Sequence, residues 1–313
     1  MKPKASINAK SRTAIEAKGF NKKSGSTALI RKADEKKEPN SMTPIGIFDS
    51  GYGGLTILKD IRRRLPDFDY LYLGDNARAP YGARSFDIVY DFTLQAVTHL
   101  FNAGCRLVIL ACNTASAKAL RSIQQNDLPR IDPSRRVLGV IIPTVEALGS
   151  ITHTGHVGVV ATPGTVMSHS YRIETMKLFP DIKITEVAAP MWVPLIENGE
   201  AAGPGADWFV RKYCDEVLAR DPLIDTLLLG CTHYPILYDK IRAYMPDRVN
   251  IIPQGELVAE SLADYLARHQ EIASICTRGG TVNFLTTESP EKFNRLAPLF
   301  LHHPVEADRI VLR

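Results

Sequence analysis

The sequence predicts an α/β protein built on parallel sheets, and three observations carry that expectation. From Met42 onwards, short apolar runs alternate with longer amphipathic stretches. The runs are bounded by Gly, Pro, Asn and Asp, which end strands. They are also apolar at consecutive rather than alternate positions, as in strands covered on both faces by helices.

Taken in order, the first run is I-G-I-F at 45–48, closed by Asp-Ser-Gly, and the second is Y-L-Y-L at 70–73, closed by Gly-Asp-Asn. Further strands are expected at 107–111, 137–142, 157–161, 184–188, 226–229, 250–252 and 282–285. Helical patterns lie between them at 55–65, 85–103, 115–125, 166–179, 206–219 and 256–268. The stretch 198–205 (N-G-E-A-A-G-P-G) and the stretch 128–136, with two prolines, are expected to be loops. A chain of 313 residues is long enough for two domains. A boundary is expected near Gly139, with a return crossing near Pro253. The first domain would then comprise 42–138 plus 254–313, and the second 139–253.

Hydrophobic content of 45% and charged content of 23% describe an ordinary globular protein. No apolar run reaches the roughly 18–20 residues of a membrane span, and the N-terminus lacks the apolar core of a secretory signal. The net charge of +4 is unevenly placed: residues 1–41 hold eleven Lys/Arg and four Asp/Glu, leaving 27 basic and 30 acidic residues in the remainder. The basic segment is rich in Lys, Ser, Ala and Asn and buries too little to offset its ordering entropy, so it is expected to be a disordered extension. Any contact with nucleic acid would be confined to it, and none is expected of the acidic body. Five cysteines, odd in number and widely spaced, form no disulfide framework, and no C-x-x-C pair suggests zinc. Reduced thiols in the cytoplasm are expected.

One internal echo stands out. Residues 106–116 read R-L-V-I-L-A-C-N-T-A-S and residues 225–235 read D-T-L-L-L-G-C-T-H-Y-P. Each is an apolar strand, a small residue, a cysteine, then two polar residues opening a helix. Two such copies suggest two similar half-molecules, each offering a thiol at the carboxyl end of a strand, where open α/β sheets bind ligands. Cys105, Cys214 and Cys276 read as small buried hydrophobes. Cys112 and Cys231 differ, because a thiol at a helix start feels the positive end of the dipole, which is expected to lower its pKa below the ordinary ~8.5. Inverting a stereocentre by proton transfer needs a base on one face of a carbon and an acid on the other, and two equivalent thiols supply that geometry. His233, two residues after Cys231, is placed to manage one proton, although spacing alone does not separate that role from an idle helix-start histidine.

The segment F-D-S-G-Y-G-G-L at 48–55 is a strand, a Gly-rich turn and a helix start, whose backbone N–H groups suit a carboxylate. It lacks Gly-Lys-Ser/Thr, and Thr56 stands where the third glycine of a dinucleotide fingerprint belongs. Asp49 fits an N-cap and a functional carboxylate equally. The segment G-D-N-A-R-A-P-Y-G at 74–82 reads as a rigid turn with free N–H groups.

These motifs, with A-C-N-T-A-S at 111–116 and L-G-C-T-H-Y-P at 229–235, resemble the glutamate racemase family of the aspartate/glutamate racemase superfamily, from about Ile45 to Gly255. The resemblance implies two pseudo-symmetric α/β domains with the active site in the cleft between them. It implies Cys112 as the base acting on D-glutamate and Cys231 as the base acting on L-glutamate, assisted by Asp49 and His233 respectively. Asp49 and Ser50, Tyr81 and Gly82, Asn113 and Thr114, and Thr232 and His233 match the substrate-binding pairs, and Glu197 an acidic residue near the second cysteine. It further implies no pyridoxal phosphate or other cofactor, no metal, a homodimer, and D-glutamate destined for peptidoglycan. A racemase of aspartate or another amino acid on the same scaffold is the alternative. A thiol-redox or metal-binding protein and an idle regulatory partner are more distant ones. Two departures stand out: Thr144 follows Pro143 where the family usually has glycine, and Pro253-Gln254-Gly255 stands where many members have Asp-Ser-Gly.

Overall fold

In a computed structural model, residues 43–313 are described, and the strands they form fall into two separate parallel sheets. The basic extension expected at 1–41 lies outside the described residues. The first sheet contains β1 (Ile45–Asp49), β2 (Tyr70–Gly74), β3 (Leu107–Leu110), β4 (Arg136–Gly139), β9 (Val282–Thr286) and β10 (Ala307–Arg309), in the order β10-β9-β2-β1-β3-β4. The second contains β5 (His156–Ala161), β6 (Lys183–Ala188), β7 (Thr226–Gly230) and β8 (Asn250–Ile252), in the order β6-β5-β7-β8. Every pairing between these strands is parallel. Apart from β9 and β10, the two sheets share one winding: second strand, first, third, fourth. Cys112 comes after the third strand of one sheet and Cys231 after the third strand of the other, so the echo in sequence is an echo in topology.

The central strands β1, β2, β3 and β7 are buried at every position, which explains their uninterrupted apolar runs. A continuous apolar cluster runs from Ile47 and Tyr72 at the first sheet to Leu227 and Trp192 at the second. Trp192 is fully buried, with its ring edge-on to Tyr234 at 4.6 Å, and it anchors the short helix Trp192–Glu197 that comes after β6. Helix Gly54–Arg64 packs on helix Gly255–Arg268, and the Arg63–Glu256 and Arg64–Glu260 pairs across them are exposed and contribute little to stability.

Several elements differ from expectation. The run 137–142 is not one strand: β4 ends at Gly139 and a helix occupies Ile141–Ile151. An apolar run of this length does not separate strand from buried helix, and Pro143 is tolerated in a first helical turn, where N–H groups lack intrahelical partners. The helix expected at 166–179 is two helices, Pro163–Ser168 and Ser170–Leu178, parted by His169 at φ 52°. The helix expected at 115–125 is Asn113–Lys118, then a short turn at Leu120–Ser122 and a turn of π-helix at Ile123–Asp127. The loop expected at 128–136 opens with a short helix, Leu128–Ile131, carrying Pro129 in its first turn. Helix Pro204–Arg220 likewise absorbs the end of the loop expected at 198–205, since proline suits a first turn. No helix among the described residues is long and apolar enough to cross a membrane.

Candidate active site

The carboxyl ends of strands from both sheets line one cavity of about 80 Å³. Ser50 and Gly51 come from the end of β1; Tyr81 and Gly82 from the loop after β2; Cys112, Asn113 and Thr114 from the end of β3. From the second sheet come Thr162 and Pro163 after β5, Glu197 from the segment after β6, and Cys231, Thr232 and His233 after β7. Both thiols therefore face the same small space. Of the residues expected at the site, only Asp49 does not line it; its carboxylate is fully buried beneath the Gly-rich turn.

Cys112 is the N-cap of helix Asn113–Lys118, and its sulfur accepts from the Ala115 N–H at 3.5 Å. Ser50 Oγ lies 3.3 Å from the same sulfur, so Ser50 rather than Asp49 is its direct hydrogen-bonding neighbour. The expected lowering of its pKa is not what the structure gives. Burial, reinforced by the charge of Asp49 and of Cys231, pushes the Cys112 thiol up to about 12, against the hydrogen bonds from Ser50 and Ala115. Desolvation of a thiolate outweighs one short helix start. Asp49 itself is raised by burial, opposed by the charge of His233 and by backbone N–H groups of the turn. One of its oxygens accepts from Gly51 N–H at 2.9 Å, and Gly54 N–H also supports the carboxylate.

The Cys231 side is built differently. His233 Nδ1 lies 3.9 Å from Cys231 Sγ, and its Nε2 lies 2.9 Å from Glu197 Oε1, giving a Cys–His–Glu chain. Burial opposes charge on His233, but hydrogen bonds to Cys231 and Glu197 outweigh it and hold the imidazole pKa up at about 10. Cys231 caps no helix: a short 3-10 turn, Tyr234–Leu237, separates it from the α-helix Tyr238–Tyr244, so the two thiols do not share the helix start that the sequence suggests. Glycine is required opposite: a Cβ on Gly53 would stand 2.3 Å from both His233 Nδ1 and Thr232 Oγ1. The Gly-rich turn of one half is thus the floor on which the Cys-Thr-His segment of the other half rests, and Thr56 Oγ1 donates to Thr232 O across it at 3.0 Å.

The remaining wall residues are also tied across the two sheets. Gly82 O accepts from Gly164 N–H at 2.7 Å, and a Cβ at Gly82 would meet Thr162 at 2.8 Å. Thr114 Oγ1 lies 2.9 Å from Thr162 Oγ1. The Tyr81 hydroxyl is committed to buried Asp75, which also binds Arg78 and Thr287. Asn113 joins a buried network with Tyr171, Gln254 and Thr144, so the two positions that depart from the family pattern touch one another. Thr162 and Pro163 were missed from sequence because they carry no recognisable motif. Their position just past the end of the first strand of the second sheet, matching Ser50 and Gly51, is the signal that could have found them.

Comparison with known proteins agrees with this geometry. The model of the Asp/Glu/Hydantoin racemase family matches residues 55–262. A glutamate racemase of Roseobacter denitrificans is 40% identical over 272 residues, covering 84% of this chain and 98% of its own. The crystal structure of a glutamate racemase from Bacillus anthracis superposes with a TM-score of 0.79 at 33% identity, covering 86% of this chain and 98% of that one. That of a Francisella tularensis glutamate racemase in complex with D-glutamate gives 0.77 at 31% identity, with 86% and 98% covered. With two thiols on equivalent strand ends and a match across most of its length, the chain belongs to the Asp/Glu/hydantoin racemase family.

Proposed function

We propose that this chain interconverts L- and D-glutamate by two-base proton transfer, with Cys112 and Cys231 exchanging the roles of acid and base. The observation that carries the reading is that both sulfurs line one cavity, each at the end of the equivalent strand of its sheet. One thiolate takes the α-proton, the pair of electrons stays on the α-carbon, and the opposing thiol delivers its proton to the other face. Cys112, neutral at rest with its pKa near 12, fits the acid when L-glutamate reacts. His233, held as an imidazolium by its hydrogen bonds to Cys231 and Glu197, fits the support of negative charge at the Cys231 sulfur. After one inversion the two sulfurs have exchanged protonation states, and Ser50 and Asp49 on one side, with His233 and Glu197 on the other, are placed to return them. Backbone and side-chain donors of Asn113, Thr114, Thr232 and the Tyr81-Gly82 turn are the groups assigned to hold the amino acid and stabilise the deprotonated carbon.

The same reading takes the reaction as cofactor-independent, its D-glutamate as a precursor of peptidoglycan, and the enzyme as a cytoplasmic homodimer, all as the family resemblance implies. It treats residues 42–138 with 254–313 and residues 139–253 as two domains, a division supported by the membership of the two sheets.

The test is racemisation of each enantiomer of glutamate and aspartate in deuterated water, monitored by circular dichroism and mass. Glutamate should invert with solvent deuterium entering at the α-carbon. Cys112→Ala and Cys231→Ala should each lose at least about 10²-fold in rate with folding retained. Full activity in either variant refutes the scheme, and a preference for aspartate refutes the substrate.

A further inference from the structure

We infer that Thr144 and Gln254 are positioning residues that set which end of the Asn113 amide faces the substrate. Asn113, Thr144, Tyr171 and Gln254 are all at most 2% exposed, so none can satisfy its polar atoms with bulk water. The two ends of a side-chain amide are nearly equal in shape and opposite in polarity, so hydrogen-bond partners decide its orientation.

The chain of constraint begins at a backbone carbonyl. Val140 O can only accept, and the Thr144 hydroxyl donates its single proton to it at 2.7 Å. Towards Gln254 the Thr144 oxygen therefore presents lone pairs alone. Gln254 must turn its Nε2 to Thr144, at 2.8 Å, and its second Nε2 proton reaches the Tyr171 oxygen at 2.6 Å. That orientation leaves Oε1 facing Asn113, where only a donor is accommodated, and Asn113 Nδ2 supplies it at 2.7 Å. Asn113 Oδ1 in turn accepts the Tyr171 hydroxyl proton at 2.5 Å, which closes the ring.

The consequence is a polarity carried from a main-chain carbonyl through Thr144 and Gln254 to Asn113, which lines the cavity next to Cys112. Asn113 Nδ2 spends one proton on Gln254 and keeps one for a ligand. A donor at that place attracts the carboxylate of an amino acid; a flipped amide would present an oxygen and repel it. The elements joined are the end of β3, the helix Ile141–Ile151, the helix Ser170–Leu178 and the segment between β8 and helix Gly255–Arg268. No short sequence motif contains them.

This rests on the racemase reading, which supplies the anionic substrate. Thr144→Val keeps the shape but removes the acceptor that orients Gln254, and Gln254→Leu removes the relay. Each should raise KM for both enantiomers of glutamate about 10- to 150-fold, the effect of losing one hydrogen bond to a charged group, with kcat little changed. Thr144→Ser, which keeps the hydroxyl, should restore the KM of the unaltered chain. The double variant Thr144→Val with Gln254→Leu should be no worse than Gln254→Leu alone, because both act through one bond. An unaltered chain inactive on glutamate would count against the substrate reading. With that chain active, an unchanged KM in Thr144→Val, a Thr144→Ser variant as impaired as Thr144→Val, or additive losses in the double variant each overturn the inference itself.

Discussion

Replacing Glu197 by Gln probes the proton support of Cys231 without changing its shape. The pKa of His233 stands at about 10 instead of 6.5 although burial acts to lower it, a difference of about 5 kcal/mol between its two protonation states. The substituted amide oxygen would still accept a hydrogen bond from Nε2 at the present 2.9 Å, but without charge. A hydrogen bond to a charged group contributes about 1.5–3 kcal/mol and a neutral one about 1, so the imidazole pKa should fall by about half a unit to one and a half units. The working form in our scheme is the imidazolium, which is lost as pH rises through its pKa. Glu197→Gln should therefore leave activity near neutrality almost intact and bring the alkaline loss forward by about half to one and a half pH units. The assay is kcat/KM by circular dichroism from pH ~6 to ~11, from either enantiomer, with Glu197→Asp as a charge-retaining control. An alkaline limb at the same pH in Glu197→Gln, or a uniform loss at every pH, refutes the assigned role.

The same geometry dictates other outcomes. Gly53→Ala should cost about 1–3 kcal/mol of stability and more activity than stability, since the added carbon displaces His233 and Thr232; unfolding midpoints and rates measured together check this. His233 also links stability to pH: its folded pKa is raised, so its contribution is complete below about 6.5 and is lost as pH rises through about 10, which a series of thermal unfolding curves would reveal. Asp225 has the opposite sign. Burial raises it, but hydrogen bonds from Thr152, Thr154, His153 and Thr226 outweigh that and draw its pKa from 3.8 to about 2. It should contribute about 2 kcal/mol above pH ~4 that fades as pH falls towards ~2, and Asp225→Asn should remove that part of the acid sensitivity in urea titrations.

The architecture is legible in sequence where local chemistry and tertiary role coincide. Buried strands such as Tyr70–Gly74 and Thr226–Gly230 write their two-sided burial directly into consecutive apolar residues, and the matched Cys112 and Cys231 segments announce a repeated unit. Legibility fails where partners distant in sequence decide. Ala307–Arg309 has no apolar pattern and is a strand because it pairs with β9 and because the Asn294 side chain accepts from Ala307 N–H. His169 breaks a helix with no Gly or Pro as warning; its side chain instead meets buried Glu186 at 2.9 Å. The pKa of Cys112 departs from expectation because a helix start is visible in sequence while the burial that outweighs it is not. The Thr144–Gln254 bond is invisible for the same reason, although each position is unusual when taken separately.

The unlike retinues of the two sulfurs, a hydroxyl and a buried acid for one and an imidazole–carboxylate couple for the other, carry a thermodynamic corollary. Mirror-image amino acids have equal free energy in an achiral solvent, so the ratio of forward to reverse specificity constants is pinned at unity, whatever machinery sits on either wall. Lopsided construction can let one antipode saturate the enzyme at lower concentration, provided its maximal rate falls in step. It cannot bias the end point, and any net flow towards one hand must come from whatever consumes that hand downstream.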